Sequence, residues 1–275
     1  MGRALHVRHS SNPVLNDSWA IHLLSPQYRE QVLGMAYEDG MQLIEGFDSA
    51  AVFAINIGCL RYAEDEVERC LASGIGQYLV LGAGLDSFAL RRADLAGQCK
   101  VFEVDHPDMQ ALKRQRIAEA DELPAMLPTF IPVDFETDQL GAQIAASSFD
   151  TGSRAVVSWL NTLPYLTEEA TAATLSELAD LLQPGSRLIL NYAADVAFTE
   201  AQIALATRLM EVTGATAEPF RSRWAPADFE ALLESQGFRM IEHATEVDLT
   251  ERYFKGREDG MAPGIPLRVL TAELE

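Results

Sequence analysis

The sequence has little positive charge. Its 21 lysine and arginine residues stand against 41 aspartate and glutamate residues, which leaves a net charge of −20. Such an excess of negative charge repels the phosphates of nucleic acids and the anionic surface of membranes. The composition therefore argues against a nucleic-acid partner and against a membrane partner.

Cysteines and long apolar runs are scarce as well. The three cysteines, Cys59, Cys70 and Cys99, have neither the spacing of a metal site nor the even number of a disulfide framework. No apolar run approaches the roughly 18 residues that a membrane span requires, and the N-terminus has no apolar signal-peptide region. We therefore expect a cytoplasmic protein with reduced thiols and no bound metal.

Short β-rich runs alternate with helical runs along most of the chain. Five of them precede residue 195, which predicts parallel strands joined by helices, and two further strands close the chain. The predicted strands are 77–81, 100–104, 129–133, 154–160, 186–192, 238–249 and 266–274. Residues of about 1–75 and 193–225 are predicted to be helical and to cap this sheet. The whole chain, 1–275, is predicted to be a single α/β domain.

The first predicted strand runs into a glycine turn, Gly82-Ala83-Gly84, that precedes Ser87. Small residues let the backbone approach a ligand closely at such a turn. A dinucleotide-binding fingerprint has a third glycine where this chain has Ser87, so that a helix N-terminus can face a pyrophosphate. The serine disfavours a nicotinamide-dependent oxidoreductase and favours a ligand without phosphates. Taken alone, the turn is also compatible with a purely structural role.

Acidic residues follow the next two predicted strands. Asp105 ends the second strand about 20 residues after the glycines, where a carboxylate can bind ribose hydroxyls. Glu103 competes for this role, and we choose Asp105 because it lies nearer the carboxyl end of the strand. Asp134 ends the third strand, where it can accept a hydrogen bond from an adenine amino group, with Phe135 as an apolar neighbour of the ring. Both aspartates could instead cap the segments that follow them.

Four motifs and the N-terminal segment together resemble one family. The chain resembles the leucine carboxyl methyltransferase family over about residues 1–195. The resemblance lies in the motifs GAGLDSFALRR, FEVDHP, PVDF and SWLNTLPYLT and in the N-terminal segment RALHVRHSSNPVLNDSWAIHLLS. The resemblance implies a class I methyltransferase fold, a Rossmann-like seven-stranded mixed sheet with helical caps. It also implies S-adenosylmethionine as the cofactor. The residues assigned to the cofactor site are Gly82, Ala83, Gly84, Asp105, Asp134, Phe135 and Leu160.

The chain departs from the pattern of this family at three positions. Where the family commonly has an arginine that meets the methionine carboxylate, this chain has Cys59, and Arg61 is the nearest candidate for that contact. Phe88 replaces another frequent arginine. Asn161 stands where the family frequently has glycine.

The resemblance implies an O-methyltransferase that acts on a small-molecule carboxylate or hydroxyl, such as a polyketide or other secondary metabolite. Two alternatives stay open: methylation of a protein C-terminal carboxylate, and a methyltransferase-like binding module without turnover. A carboxylate is already ionised at neutral pH, whereas a phenol gains from a general base. The motifs contain no His–Asp pair or other recognisable base, which favours a carboxylate acceptor.

The methyl acceptor is expected to lie under the two helical segments. We expect residues 1–75 and about 193–225 to pack over the carboxyl edge of the sheet and to form the acceptor pocket, with Tyr165 at its floor. The alternative is that both segments only cover the outer helices. The basic N-terminus, with Arg3 and His6, is either mobile or part of this lid.

Overall fold

Seven strands form one mixed sheet in the order β3-β2-β1-β4-β5-β7-β6. The computed structural model describes residues 1–36, 39, 49–135, 137–213 and 221–275. Strands β1 to β5 run parallel, and β7 lies antiparallel between β5 and β6. The strands are β1 (Gln77–Leu81), β2 (Lys100–Asp105), β3 (Thr129–Pro132), β4 (Val156–Trp159), β5 (Arg187–Ala193), β6 (Phe238–Ala244) and β7 (Leu267–Leu274).

Helices cover both faces of this sheet. Several begin at a side-chain cap: Ser25 accepts a hydrogen bond from Tyr28 N, and Thr167 accepts one from Ala170 N. The described α-helices are α1 (Gly2–His9), α2 (Pro26–Gly34), α3 (Ser49–Ala72), α4 (Phe88–Arg91), α5 (Pro107–Ala118), α6 (Leu140–Ala145), α7 (Glu168–Leu181), α8 (Glu200–Thr213), α9 (Pro226–Ser235) and α10 (Glu246–Leu249). Short 3₁₀ helices lie at Ser18–Ala20, Ala93–Leu95 and Leu163–Tyr165.

Alternate residues of the parallel strands pack into two apolar cores, one on each face of the sheet. In β1, Leu79 and Leu81 belong to the core that α7 and α9 complete on one face of the sheet. Tyr78 and Val80 belong to the core that α3 and α4 complete on the other face. Every residue of β1 is buried, as expected for a parallel strand that is covered on both sides.

The N-terminal segment packs against α3 and a loop near the C-terminus. Leu5 and Leu15 share a third apolar cluster with α3 residues and with Met261. Arg257 fastens the same segment by donating to Asn12 O at 2.9 Å and to Ser10 Oγ at 3.0 Å. The N-terminal segment is therefore docked on α3 and on the loop near the C-terminus.

The main difference from the predicted elements lies at the sixth strand. The pattern predicted a strand over 238–249, whereas β6 ends at Ala244 and α10 begins after Thr245. The physical reason is a capping box, in which the Thr245 side chain accepts from Asp248 N and the Asp248 carboxylate accepts from Thr245 N. Within the segment 1–75 that was predicted to be helical, α1, the 3₁₀ helix Ser18–Ala20, α2 and α3 are separate elements, and residues 37, 38 and 40–48 lie outside the described residues.

In the described ranges, none of the helices has the length and apolar character needed to cross a membrane. The same ranges contain no cluster of three or more His, Cys, Asp or Glu side chains placed to hold a metal ion. All three cysteines are free and buried.

Candidate functional site

The glycine turn after β1 lets a neighbouring side chain come close to the backbone. Gly82 has φ of 60° and Gly84 has φ of 48°, a left-handed conformation that glycine adopts at little cost. A Cβ atom on Gly82 would lie 2.6 Å from Thr162 Oγ1. Position 82 therefore requires glycine both for its backbone conformation and for lack of space.

A cavity of about 210 Å³ opens at the carboxyl ends of β1 and β4. Its walls come from four parts of the chain: Arg3 of α1, Asn56 and Leu60 of α3, the end of β1 with the turn after it, and Ser158 with residues 160–162 at the end of β4. This is the edge at which open α/β sheets bind their ligands. Of the residues assigned to the cofactor site from sequence, Gly82, Ala83 and Leu160 line this cavity.

Asp105 fixes the glycine turn from the neighbouring strand. One of its carboxylate oxygens accepts from Gly84 N and the other accepts from His106 N at 2.7 Å. His106, whose Nδ1 accepts from Asp108 N, is the N-cap of α5, so the helix-cap role falls to His106. Glu103 is buried against Lys113, and burial raises the pKa of its carboxyl to about 7. The side chain at the ligand edge is thus that of Asp105.

Arg3 is a cavity residue that the sequence reasoning did not assign to the cofactor site. Its Nη1 donates to Asp17 Oδ2 at 2.7 Å and its Nη2 donates to Leu85 O at 2.7 Å. The guanidinium thereby joins α1 to the glycine turn, and about one fifth of the side chain stays exposed. A signal was present in the sequence, since Arg3 lies in the N-terminal segment that carries the family resemblance.

The buried side chain of Asn191 contacts both Cys59 and Asn161, which are two of the departures from the family pattern. Asn191 Oδ1 accepts from Asn161 N at 2.6 Å, and Asn191 Nδ2 donates to Asn161 Oδ1 at 2.9 Å. The same Nδ2 lies 3.5 Å from Cys59 Sγ. Asn161 has φ of 58°, which explains why a glycine is common there and why asparagine, which tolerates this conformation, can replace it. Burial raises the pKa of Cys59 to about 12, so its thiol stays protonated at neutral pH.

Other residues assigned to the site lie outside the cavity. Arg61 is part of α3 but pairs with Asp65 at 2.6 Å. Asp134 and Phe135 lie in the turn after β3, at the same sheet edge, and Phe135 is 37% exposed. Tyr165 lies half-buried in the 3₁₀ helix Leu163–Tyr165, after the residues of β4 that line the cavity.

Both predicted caps reach this edge of the sheet. Residues 1–75 contribute Arg3, Asn56 and Leu60 to the cavity wall. The end of segment 193–225 runs beside the 3₁₀ helix that holds Tyr165, where Arg221 N donates to Pro164 O at 2.6 Å. Residues 214–220 of this predicted cap lie outside the described residues.

The seven-stranded mixed sheet with its flanking helices has the class I methyltransferase fold, as comparison with solved structures shows. A DUF574 family protein from Streptomyces avermitilis matches with a TM-score of 0.60 at 15% identity, over 100% of this chain and 97% of the other. Magnesium protoporphyrin IX methyltransferase from Synechocystis PCC 6803, crystallised with bound SAH, matches with a TM-score of 0.51 at 21% identity, over 81% and 86%. The fold class predicted from the sequence is confirmed.

The chain belongs to the leucine carboxyl methyltransferase family, whose model matches residues 1–179. The protein YktD of Bacillus subtilis, provisionally named an S-adenosyl-L-methionine-dependent methyltransferase, is 32% identical over 73% of this chain and 66% of its own length. The similarly named Rv1896c of Mycobacterium tuberculosis is 28% identical over 68% and 60%. The chain thus spans between half and two thirds of the length of these curated relatives. The resemblance read from the motifs is confirmed.

Proposed function

We propose that this protein is an S-adenosylmethionine-dependent O-methyltransferase of a small-molecule carboxylate or hydroxyl, of the secondary-metabolite kind. The proposal rests on the cavity at the edge of the sheet, where Gly82 has no side chain that would fill the space. Among the described residues, Arg3 contributes the one guanidinium that lines this cavity. The names of the relatives include S-adenosylmethionine, which is a nucleoside without phosphates. Ser87, in place of the third glycine of a dinucleotide fingerprint, favours a ligand of this kind.

The residues of the edge fit the three parts of this cofactor. Arg3 supplies the positive charge for the methionine carboxylate, because charge-assisted bonds from a guanidinium are strong and directional. The segments outside the described residues contain no lysine, arginine or histidine, so they offer no competing cation. We assign Asp105, which lies beside the turn, to the ribose hydroxyls, and Asp134 and Phe135 to the adenine.

When bound, S-adenosylmethionine supplies a methyl group on a sulfonium, which an acceptor oxygen attacks in line. The contribution of the chain is to align the two reactants and to exclude water. Helices α1 and α3 contribute Arg3, Asn56 and Leu60 to the cavity wall. We propose that residues 1–75 and 193–225 act as the lid over this edge and supply most contacts to the acceptor, together with Tyr165.

None of the five histidines, all of which lie in the described ranges, lines the cavity. His6 is fully buried, and burial lowers its pKa to about 4. The carboxylate that does line the cavity, Asp86, already accepts from Phe88 N through Oδ1 at 2.7 Å. Because a carboxylate acceptor needs no base, the cavity favours carboxylate over phenol methylation.

Calorimetry and a turnover assay test the proposal. We expect S-adenosylhomocysteine to bind with micromolar affinity, which corresponds to about 8 kcal/mol, and NAD not to bind. Methyl transfer from labelled S-adenosylmethionine to a panel of matched carboxylic acids and phenols, followed by mass spectrometry, then identifies the acceptor group. Binding of NAD without binding of S-adenosylhomocysteine would contradict the proposal.

A further inference from the structure

Asp17 is a buried carboxylate next to the cavity. Its side chain is 0% exposed, and it lies directly before the 3₁₀ helix Ser18–Ala20. A buried carboxylate is costly unless donors satisfy its oxygens. Here Oδ1 accepts from Ser87 Oγ at 2.6 Å and Oδ2 accepts from Arg3 Nη1 at 2.7 Å. The cofactor contacts described above make no direct use of this carboxylate.

The contacts of Asp17 tie Arg3 to the glycine turn. Arg3 Nη1 also lies 3.4 Å from Ser87 Oγ, and Nη2 donates to Leu85 O at 2.7 Å. On the other side of the serine, Arg91 Nε donates to Ser87 Oγ at 3.2 Å. Since the Ser87 hydroxyl donates to Asp17, the carboxylate is held by the same turn that forms the cavity wall. The guanidinium that lines the cavity is therefore held in one orientation by two buried side chains.

We propose that Asp17 is a positioning residue that orients Arg3 toward the carboxylate of the cofactor. The inference rests on the cofactor site proposed above. An arginine side chain has many rotamers in water, and a buried carboxylate at a fixed place selects the one that faces the cavity. Ser87 stands where a dinucleotide fingerprint has its third glycine. Its hydroxyl donates a hydrogen bond to Asp17 and thereby connects Asp17 to the turn.

The test compares two ligands that differ in the group Arg3 binds. S-adenosylhomocysteine carries the amino-acid carboxylate, whereas 5′-methylthioadenosine has the adenosine and a thioether but lacks the amino-acid part. Calorimetry measures both ligands with the wild type, Arg3→Ala, Asp17→Asn and the double variant. We expect each single variant to lose about tenfold in affinity for S-adenosylhomocysteine, as for one charge-assisted contact. Affinity for 5′-methylthioadenosine stays unchanged, which also shows that the variants are folded.

The double variant distinguishes positioning from an independent effect. Because Asp17 acts through Arg3, we expect the double variant to bind S-adenosylhomocysteine no more weakly than Arg3→Ala does. Additive losses overturn the proposal, as does wild-type affinity in Asp17→Asn or an equal loss for both ligands. A wild-type protein that binds neither ligand would instead overturn the cofactor site itself.

Asp259→Asn is the matched control. Asp259 pairs with Arg257 at 2.5 Å, and Arg257 fastens residues 10 and 12 of the same N-terminal segment. This variant loosens the segment while leaving the partners of Arg3 in place, so the ratio of the two affinities stays that of the wild type. Should Asp17→Asn fail to fold, Ser87→Ala removes one of the two donors to Asp17. We expect a smaller loss, again confined to S-adenosylhomocysteine, and an equal loss for both ligands overturns the proposal.

Discussion

Gly82 shows at the scale of one residue how the backbone determines the site. Its φ of 60° is one constraint, and the 2.6 Å separation between the position that a Cβ atom would take and Thr162 Oγ1 is a second, independent one. Gly84 has only the first constraint, because, apart from Gly84 itself and its two chain neighbours, no atom of the described residues lies within 4 Å of the position that its Cβ would take. Alanine substitutions at the two glycines therefore separate the free-energy cost of a left-handed backbone from the cost of steric crowding.

We expect Gly82→Ala to lower the free energy of unfolding by more than Gly84→Ala does. A left-handed alanine costs about 1–2 kcal/mol in either variant, and crowding by Thr162 adds to this cost only at position 82. Urea denaturation measures the difference. The double variant Gly82→Ala with Thr162→Ala removes the crowding and recovers that part of the loss. Equal losses in the two single variants would show that crowding is unimportant.

Arg3 and Arg61 show which site residues sequence could predict. The prediction placed Arg61 near the methionine carboxylate because it is close to Cys59 along the chain. On a helix, however, positions i and i+4 share a face, so Asn56 and Leu60 face the cavity together while Arg61 pairs with Asp65. Arg3 was not assigned to the site because its contact with the turn joins residues 82 positions apart. Local spacing carries no information about such a contact.

At the scale of elements, the seven strands and the mixed character of the sheet followed from the sequence. Parallel strands have continuous apolar runs that end at small or acidic residues, and Gln77–Leu81 was predicted with its exact bounds. The sixth strand was predicted too long because Thr245, Glu246 and Val247 do not interrupt an alternating pattern. What ends the strand is a reciprocal pair of hydrogen bonds between residues 245 and 248, which hydrophobic patterning does not register.

Thr245→Ala tests this account of the sixth strand. Loss of the cap removes the acceptor for Asp248 N, so we expect the free energy of unfolding to fall by about 1 kcal/mol. Thr245→Ser keeps a hydroxyl that can make the same bond, and it serves as the matched control. Chemical denaturation of the three proteins provides the comparison, and an alanine variant as stable as the wild type would contradict the role of the cap.

At the scale of the whole molecule, acid has two opposing effects on stability. The net charge of −20 becomes smaller as carboxylates are protonated, which relieves repulsion. The buried His6, in contrast, has its pKa lowered from 6.5 to about 4 because burial disfavours the imidazolium. The unfolded state therefore binds a proton at a higher pH than the folded state does. The stability that neutral His6 contributes is lost as pH falls from about 6.5 to 4.

We expect His6→Gln to reduce the dependence of stability on pH. For a folded pKa of about 4, the wild type loses about 2 kcal/mol through this residue between pH 7 and pH 5. Comparing each protein with itself at the two pH values cancels the effect of losing the bond from Val14 N to His6 Nε2. Urea denaturation at both pH values measures the change. An identical loss in wild type and variant would show that His6 does not control acid stability.

The contact between Arg3 and Leu85 has a consequence for biosynthesis. Arg3 is synthesised more than 80 residues before its partners Leu85 and Ser87. At about 5–20 residues per second, the N-terminal segment waits for several seconds before the turn exists. We therefore expect α1 to dock only after β1 and its turn have formed. In a nascent chain, the cavity is completed only after Thr162 has been made, although Arg3 of its wall is made before any strand of the sheet.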